Sequence, residues 1–250
     1  MTPSDQSSAQ PLPRVAVISC RVLDAEILHH GRALPNLVHI EWMEQGLHNE
    51  PDKLRVELQK TIDRVERDHP EAEVIVLGYG LCSRGTEGVK TSRCKLVIAR
   101  AHDCITHLLG SKERYADYVK QNPGTYWYSP GWNKHHIPPG KERHDKLRKE
   151  YVEKYGDDNA DYLMESEQHW FKTYTNAAFV HLGAGEIDKE HAYTKRCADW
   201  LGWRCDCQVG DPSLLIAMLA GPWDNDRFLT LNPGQTFRMV PTDRIIEAVG

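Results

Sequence analysis

Short runs of β-branched and aliphatic residues recur along this chain, and each is followed by a segment with helical periodicity. Val15-Ala16-Val17-Ile18, Val74-Ile75-Val76-Leu77 and Leu96-Val97-Ile98-Ala99 are unbroken by charge. Such runs are buried on both faces, as the strands of parallel sheets are. Strands are predicted at 14–19, 37–42, 74–78, 95–100, 125–128, 177–182, 203–209 and 227–231. Helices are predicted at 22–31, 52–68, near 104, and at 111–121, 187–201 and 212–220. The helix at 52–68 is the best marked, with Pro51 at its start and Leu54, Leu58, Ile62 and Val65 at helical spacing. This alternation predicts an α/β fold, a mostly parallel sheet built from repeated β-α-β units. A stretch rich in Lys, Glu, His and Asp over 133–170 reads as a polar helical insertion of two surface helices. Thr236 to Val240 reads as an edge strand, residues 14–240 as one domain, and the polar residues 1–13 as a disordered tail.

Composition narrows the function classes. The net charge of -5 argues against a non-specific nucleic-acid binder, which carries a basic face. No run approaches the roughly 18 apolar residues of a membrane helix. The N-terminus lacks the basic start and apolar core of a signal peptide, so a cytoplasmic protein is expected. In that compartment seven cysteines read as buried thiols, ligands or redox groups rather than as a disulfide framework.

Three of those cysteines fall where predicted strands end: Cys20, Cys82 and Cys104. Ligands of open α/β sheets gather outside the carboxyl ends of the strands. Three thiols at one sheet edge point to a metal or iron–sulfur site with one open position. A helix starting after Cys20 would direct its N–H groups at the thiol and favour thiolate. The glycine-spaced loop Gly78-Tyr79-Gly80-Leu81-Cys82-Ser83-Arg84-Gly85-Thr86 would let backbone approach a ligand closely, with Arg84 and Thr86 able to hold a carboxylate or phosphate. It matches neither the dinucleotide fingerprint nor the phosphate-binding P-loop.

Further polar groups sit at the same predicted edge. In Arg100-Ala101-His102-Asp103-Cys104, His102 and Cys104 share a face if extended, and Asp103 can orient a histidine or cap the next helix. His48, after the second strand, is a candidate ligand or acid–base group. Asp211 is a carboxylate ligand or base, or the N-cap of a helix opening at Pro212. Tyr126, Trp127, Tyr128 and Trp132 wall an apolar pocket, cage a cation, or pack at a core edge. His135 and His136 read as solvent-exposed, and Cys205 and Cys207 as packing residues.

At these motifs the chain resembles the DUF1638 family, a domain of unknown function. The resemblance is carried by Cys20, Gly46-Leu47-His48-Asn49, Gly78-Tyr79-Gly80-Leu81-Cys82 with Gly85, Arg100 to Cys104, Leu108-Leu109-Gly110-Ser111, Asn122-Pro123-Gly124-Thr125, Pro130-Gly131-Trp132 and Gly210-Asp211. It spans roughly 14–235 and leaves out Cys197, Cys205 and Cys207. It implies a place beside corrinoid-dependent methyltransferase systems for methylated amines. It supplies no reaction, ligand or residue role.

The leading expectation is a metalloprotein, an enzyme acting on a small molecule in corrinoid-linked one-carbon metabolism. Cys20, Cys82 and Cys104 would hold a [4Fe–4S] cluster, preferred over zinc, with His48, His102 and Asp103 as catalytic groups. Tyr79, Arg84, Thr86, Trp132 and Asp211 would bind substrate. The rivals are a metal-free enzyme with a cysteine nucleophile and a non-catalytic accessory protein that binds a corrinoid protein.

Overall fold

The computed structural model describes residues 12–250, so most of the predicted N-terminal tail lies outside the described residues. The chain opens with β1 (Val15–Cys20), a 3-10 turn at Arg21–Leu23, α1 (Asp24–Gly31) and β2 (Leu37–Met43). A second 3-10 turn, Gln45–Asn49, leads into α2 (Pro51–Asp68), followed by β3 (Val74–Gly78) and β4 (Lys95–Ala99). In α2 the predicted apolar stripe is the buried one: Leu54, Leu58, Ile62 and Val65 face the sheet and are fully buried or nearly so.

The short α3 (Ile105–Leu109) stops at Gly110, which adopts φ +88. Ser111 then caps α4 (Lys112–Gln121), its hydroxyl accepting from the Arg114 N–H at 3.1 Å. After β5 (Thr125–Tyr128), Ser129 caps a further helix in the same way, α5 (Pro130–His135). The Ser129-Pro130-Gly131-Trp132 segment after the strand therefore starts a helix that the sequence pattern does not predict. The insertion follows as α6 (Lys141–Tyr155) and α7 (Asp157–Gln168), with a 3-10 turn at His169–Thr173. Next come β6 (Asn176–His181), α8 (Ile187–Leu201), β7 (Arg204–Val209), α9 (Ser213–Ala220) and β8 (Phe228–Leu231). A terminal hairpin pairs β9 (Thr236–Met239) with β10 (Ile246–Val249), so the predicted edge strand pairs outside the main sheet.

The other eight strands divide between two sheets. The larger has the order β2-β1-β3-β4-β8, parallel except for β8, and the smaller has the order β5-β6-β7. The β-α-β repeats are present as expected, but the third contributes to the second sheet. The larger sheet and its helices enclose the main core, from Val15 through Ile98 to Leu231. Tyr128, Ala177, Phe179, Cys197 and Ala198 form a separate, smaller core under the second sheet. Cys197 is thus a packing residue, and Cys207 on β7 is exposed. No helix among the described residues is long and apolar enough to cross a membrane.

Candidate functional site

Strand order decides the geometry of the site. β1, β3 and β4 are parallel neighbours, so their carboxyl ends lie side by side at one edge. Cys20 ends β1, Cys82 lies in the loop after β3, and Cys104 lies in the loop after β4. Neighbouring strands are about 4.8 Å apart, so three consecutive strands deliver their loops within about 10 Å of one another.

Gly78 and Gly80 make this convergence sterically possible. A Cβ on Gly78 would fall 2.2 Å from Ser19 Oγ, and one on Gly80 would fall 2.6 to 2.8 Å from the backbone N, Cα and C of Asp103. The Ser19 hydroxyl also lies 3.1 Å from the Gly78 carbonyl, which it can donate to. The Leu81 and Cys82 N–H groups donate to the carbonyls of Ala101 at 2.8 Å and His102 at 3.0 Å. The two glycines therefore admit the neighbouring cysteine-bearing segments, where the sequence had suggested room for a ligand.

The Cys82 loop is conformationally strained. Cys82, Ser83 and Arg84 adopt φ of 45, 54 and 68, three consecutive non-glycine residues in the left-handed region. Each such residue costs roughly 1–2 kcal/mol, and strain of this kind persists where its surroundings over-determine it, often at functional sites. Here the Thr86 hydroxyl, fully buried, reaches the carbonyls of Gly80 at 3.2 Å and Leu81 at 3.3 Å. The Gly85 N–H donates to the Cys82 carbonyl at 2.9 Å, and Arg84 Nε donates to Glu87 at 3.0 Å. Thr86 and Arg84 are thus committed to holding the loop and do not line the cleft. Asp211 does not line it either: its Oδ1 accepts from the Ser213 N–H at 2.9 Å at the start of α9, the capping alternative read from sequence.

A cleft of about 610 Å³ opens at this edge. Cys20, Cys82, Cys104, Tyr79, His48 and His102 line its floor, together with Asp103. Its far wall comes from β5, α5, the insertion and the segment after it: Tyr126, Trp127, Trp132, Arg143, Trp170 and Tyr174. Trp132 packs between His48 and His136, with ring centroids 5.3 and 5.0 Å away. Tyr128 of the predicted aromatic group is instead fully buried, its hydroxyl donating to the Pro139 carbonyl at 2.8 Å. His135 and His136 depart from the expectation of solvent exposure. His136 lines the cleft, and His135 Nε2 lies 2.8 Å from Asp24 Oδ2. Tyr115, His136, Arg143, Trp170 and Tyr174 had no distinguishing local pattern, because their place in the wall depends on how the insertion folds back.

The electrostatics at the floor are those of neutral thiols. Burial pushes the Cys20 thiol up to about 11, with Glu44 and Asp24 adding to the rise and the Val22 N–H opposing it. Only a 3-10 turn follows Cys20, and the N–H effect expected from sequence is outweighed by desolvation. Burial raises Cys82 and Cys104 further, helped by the Asp103 charge and by the neighbouring thiols. A thiolate, whether nucleophile or metal ligand, needs the opposite shift. Asp103 is itself spoken for: Oδ1 accepts from the Ile105 N–H and Oδ2 from the Tyr115 hydroxyl, both at 3.0 Å. His48 Nδ1 donates to the Gln45 carbonyl at 2.5 Å, which leaves Nε2 as the basic nitrogen. No three His, Cys, Asp or Glu side chains among the described residues are already grouped so as to hold a metal ion.

Fold and site together define an α/β protein with a thiol-floored, aromatic-walled cleft at the carboxyl edge of a parallel sheet. The chain belongs to the family described as "Protein of unknown function (DUF1638)", which matches residues 42–219, well over half of it. Cys82, Cys104 and both floor histidines fall within the matched segment, whereas β1 with Cys20 precedes it. Comparison with curated proteins and with solved structures returned no match.

Proposed function

We propose that this protein is a metalloenzyme whose cleft binds a small molecule beside a soft-metal centre held by Cys20, Cys82 and Cys104. The observation that supports this reading is the arrival of three thiols from three adjacent strand ends in one cleft. Sulfur ligands suit iron–sulfur clusters and zinc, and three of them leave one position for substrate. The [4Fe–4S] cluster remains the preferred occupant and zinc the second. Because the ligands are not already grouped, binding would reorient the three thiols, so metal affinity and the order of the strained Cys82 turn would be coupled. Binding would also displace thiol protons. Such a centre supplies a Lewis-acid position; His48 and His102 would move protons next to it. A corrinoid protein is the partner class suggested by the family resemblance.

The test is anaerobic purification with visible spectroscopy and metal analysis of the native chain and Cys82→Ser. Serine is nearly isosteric but far harder to deprotonate, so it should abolish metal retention while the far-UV spectrum is unchanged. A native protein with no metal as isolated and none after anaerobic reconstitution with iron and sulfide or with zinc would refute the reading. Equal metal content in Cys82→Ser would remove Cys82 from the ligand set.

A further inference from the structure

The floor of the cleft carries a donor that nothing among the described residues satisfies. Tyr79, between Gly78 and Gly80, is 1% exposed, lines the cleft, and its hydroxyl has no hydrogen-bond partner. Buried tyrosine hydroxyls are normally paired, and an unpaired one calls for an explanation. Its charged and titratable surroundings are the three thiols and Glu44. None of these is hydrogen-bonded to it.

A second unsatisfied donor lies across the cleft. The indole Nε1–H of Trp132 is enclosed and unpartnered, beside the Tyr126 hydroxyl but short of hydrogen-bond geometry. An indole N–H can only donate. On the same wall Arg143 lies near His136. Arg143 is shared between Glu167, at 2.5 Å, and the faces of Trp170 and Phe171. The acidic group of the floor, Asp103, has both oxygens engaged. What the cleft leaves unpaired is therefore donors, surrounded by aromatic rings.

We propose that the cleft is built for a small organic carboxylate with an apolar, planar body, whose oxygen accepts from Tyr79 Oη and Trp132 Nε1. A carboxylate supplies the acceptors both donors lack, and its body packs among Trp127, Trp132 and Tyr174. An alkylated ammonium ion has no acceptor and would leave both donors unpaired. The inference rests on the cleft being the small-molecule site of the proposed function; it does not depend on which metal the thiols hold.

Tryptophan fluorescence and calorimetric titration test it, because Trp127, Trp132 and Trp170 all line the cleft. The probes are benzoate, benzyl alcohol and benzyltrimethylammonium, on the purified full chain with metal content measured on the same samples. Benzoate should bind saturably, and more tightly than the other two. Tyr79→Phe should weaken it about 10-fold or more, as loss of a hydrogen bond to a charged group does. The thermal midpoint of ligand-free Tyr79→Phe should not fall, since the hydroxyl it lacks is unpaired. Trp132→Phe should weaken benzoate binding as well. Absence of saturable benzoate binding, preference for the ammonium probe, or unchanged benzoate affinity in Tyr79→Phe would each overturn the proposal. Metal retained without benzoate binding defeats this inference alone. Benzoate binding without metal under any reconstitution defeats the metal centre and leaves this inference standing.

Discussion

Gly80→Ala tests whether close packing between the Cys82 and Cys104 loops builds the site. The new Cβ would sit 2.6 to 2.8 Å from three backbone atoms of Asp103. Carbon contacts relax at about 3.5 Å, so the two loops must part by roughly 0.8 Å. Backbone cannot rotate aside as a flexible side chain can. The two hydrogen bonds joining the loops, at 2.8 and 3.0 Å, would stretch past the usual limit. Overpacking costs about 1–3 kcal/mol, and each hydrogen bond contributes about 1 kcal/mol. A loss of about 3–5 kcal/mol is expected by urea unfolding, a midpoint drop of roughly 6–20 °C for a chain of this size. The reaction rate of the cleft thiols with a disulfide reagent should rise, because separating the loops admits solvent. Gly46→Ala is the control: nothing lies within 4 Å of its Cβ position, and its stability should stay within about 0.5 kcal/mol of the native chain. If Gly80→Ala matches that control in both stability and thiol reactivity, close contact between the loops is not what organises the site.

Two further outcomes follow from buried polar groups. Glu26 on α1 is fully buried with both carboxyl oxygens unpartnered among the described residues, and burial lifts its pKa from 4.5 to about 7. A carboxyl raised on folding stabilises most below its unfolded value, and that contribution fades as pH rises through about 7. Native protein should therefore lose about 3 kcal/mol between pH 4.5 and 8 relative to Glu26→Gln; parallel urea curves for the two across that range would show Glu26 to be ionised in the fold. Thr86→Val keeps the side-chain shape but strips the carbonyls of Gly80 and Leu81 of their donor. A loss of about 1–3 kcal/mol is expected, together with lower metal retention, because the strained Cys82 turn loses one of its restraints; unchanged metal affinity would show that Thr86 only supports the fold.

The sequence alone determined most of the strands and the long helices, though not α5 or β10, and which side chains the strands carry to one edge. Burial on both faces forces strands such as Val15–Cys20 and Val74–Gly78 to be apolar throughout, and the period of α2 can be read without any partner. Parallel strands share a direction, so cysteines at their ends were bound to gather at the carboxyl edge once those strands became neighbours. Local pattern could not say which strands those would be. Strand order is set by long-range pairing, which periodicity does not record, and here it made β1, β3 and β4 adjacent while sending β5, β6 and β7 into a second sheet. The same limit applied to individual residues. Gly78 and Gly80 looked like room for a ligand until Ser19 and Asp103 filled it. His136, Arg143, Trp170 and Tyr174 carried no local sign of function, and Arg84, Thr86 and Asp211 carried one yet lie outside the cleft. Whether a polar side chain faces a cleft or a backbone carbonyl depends on which distant segment packs against it, and only the folded chain brings that segment there.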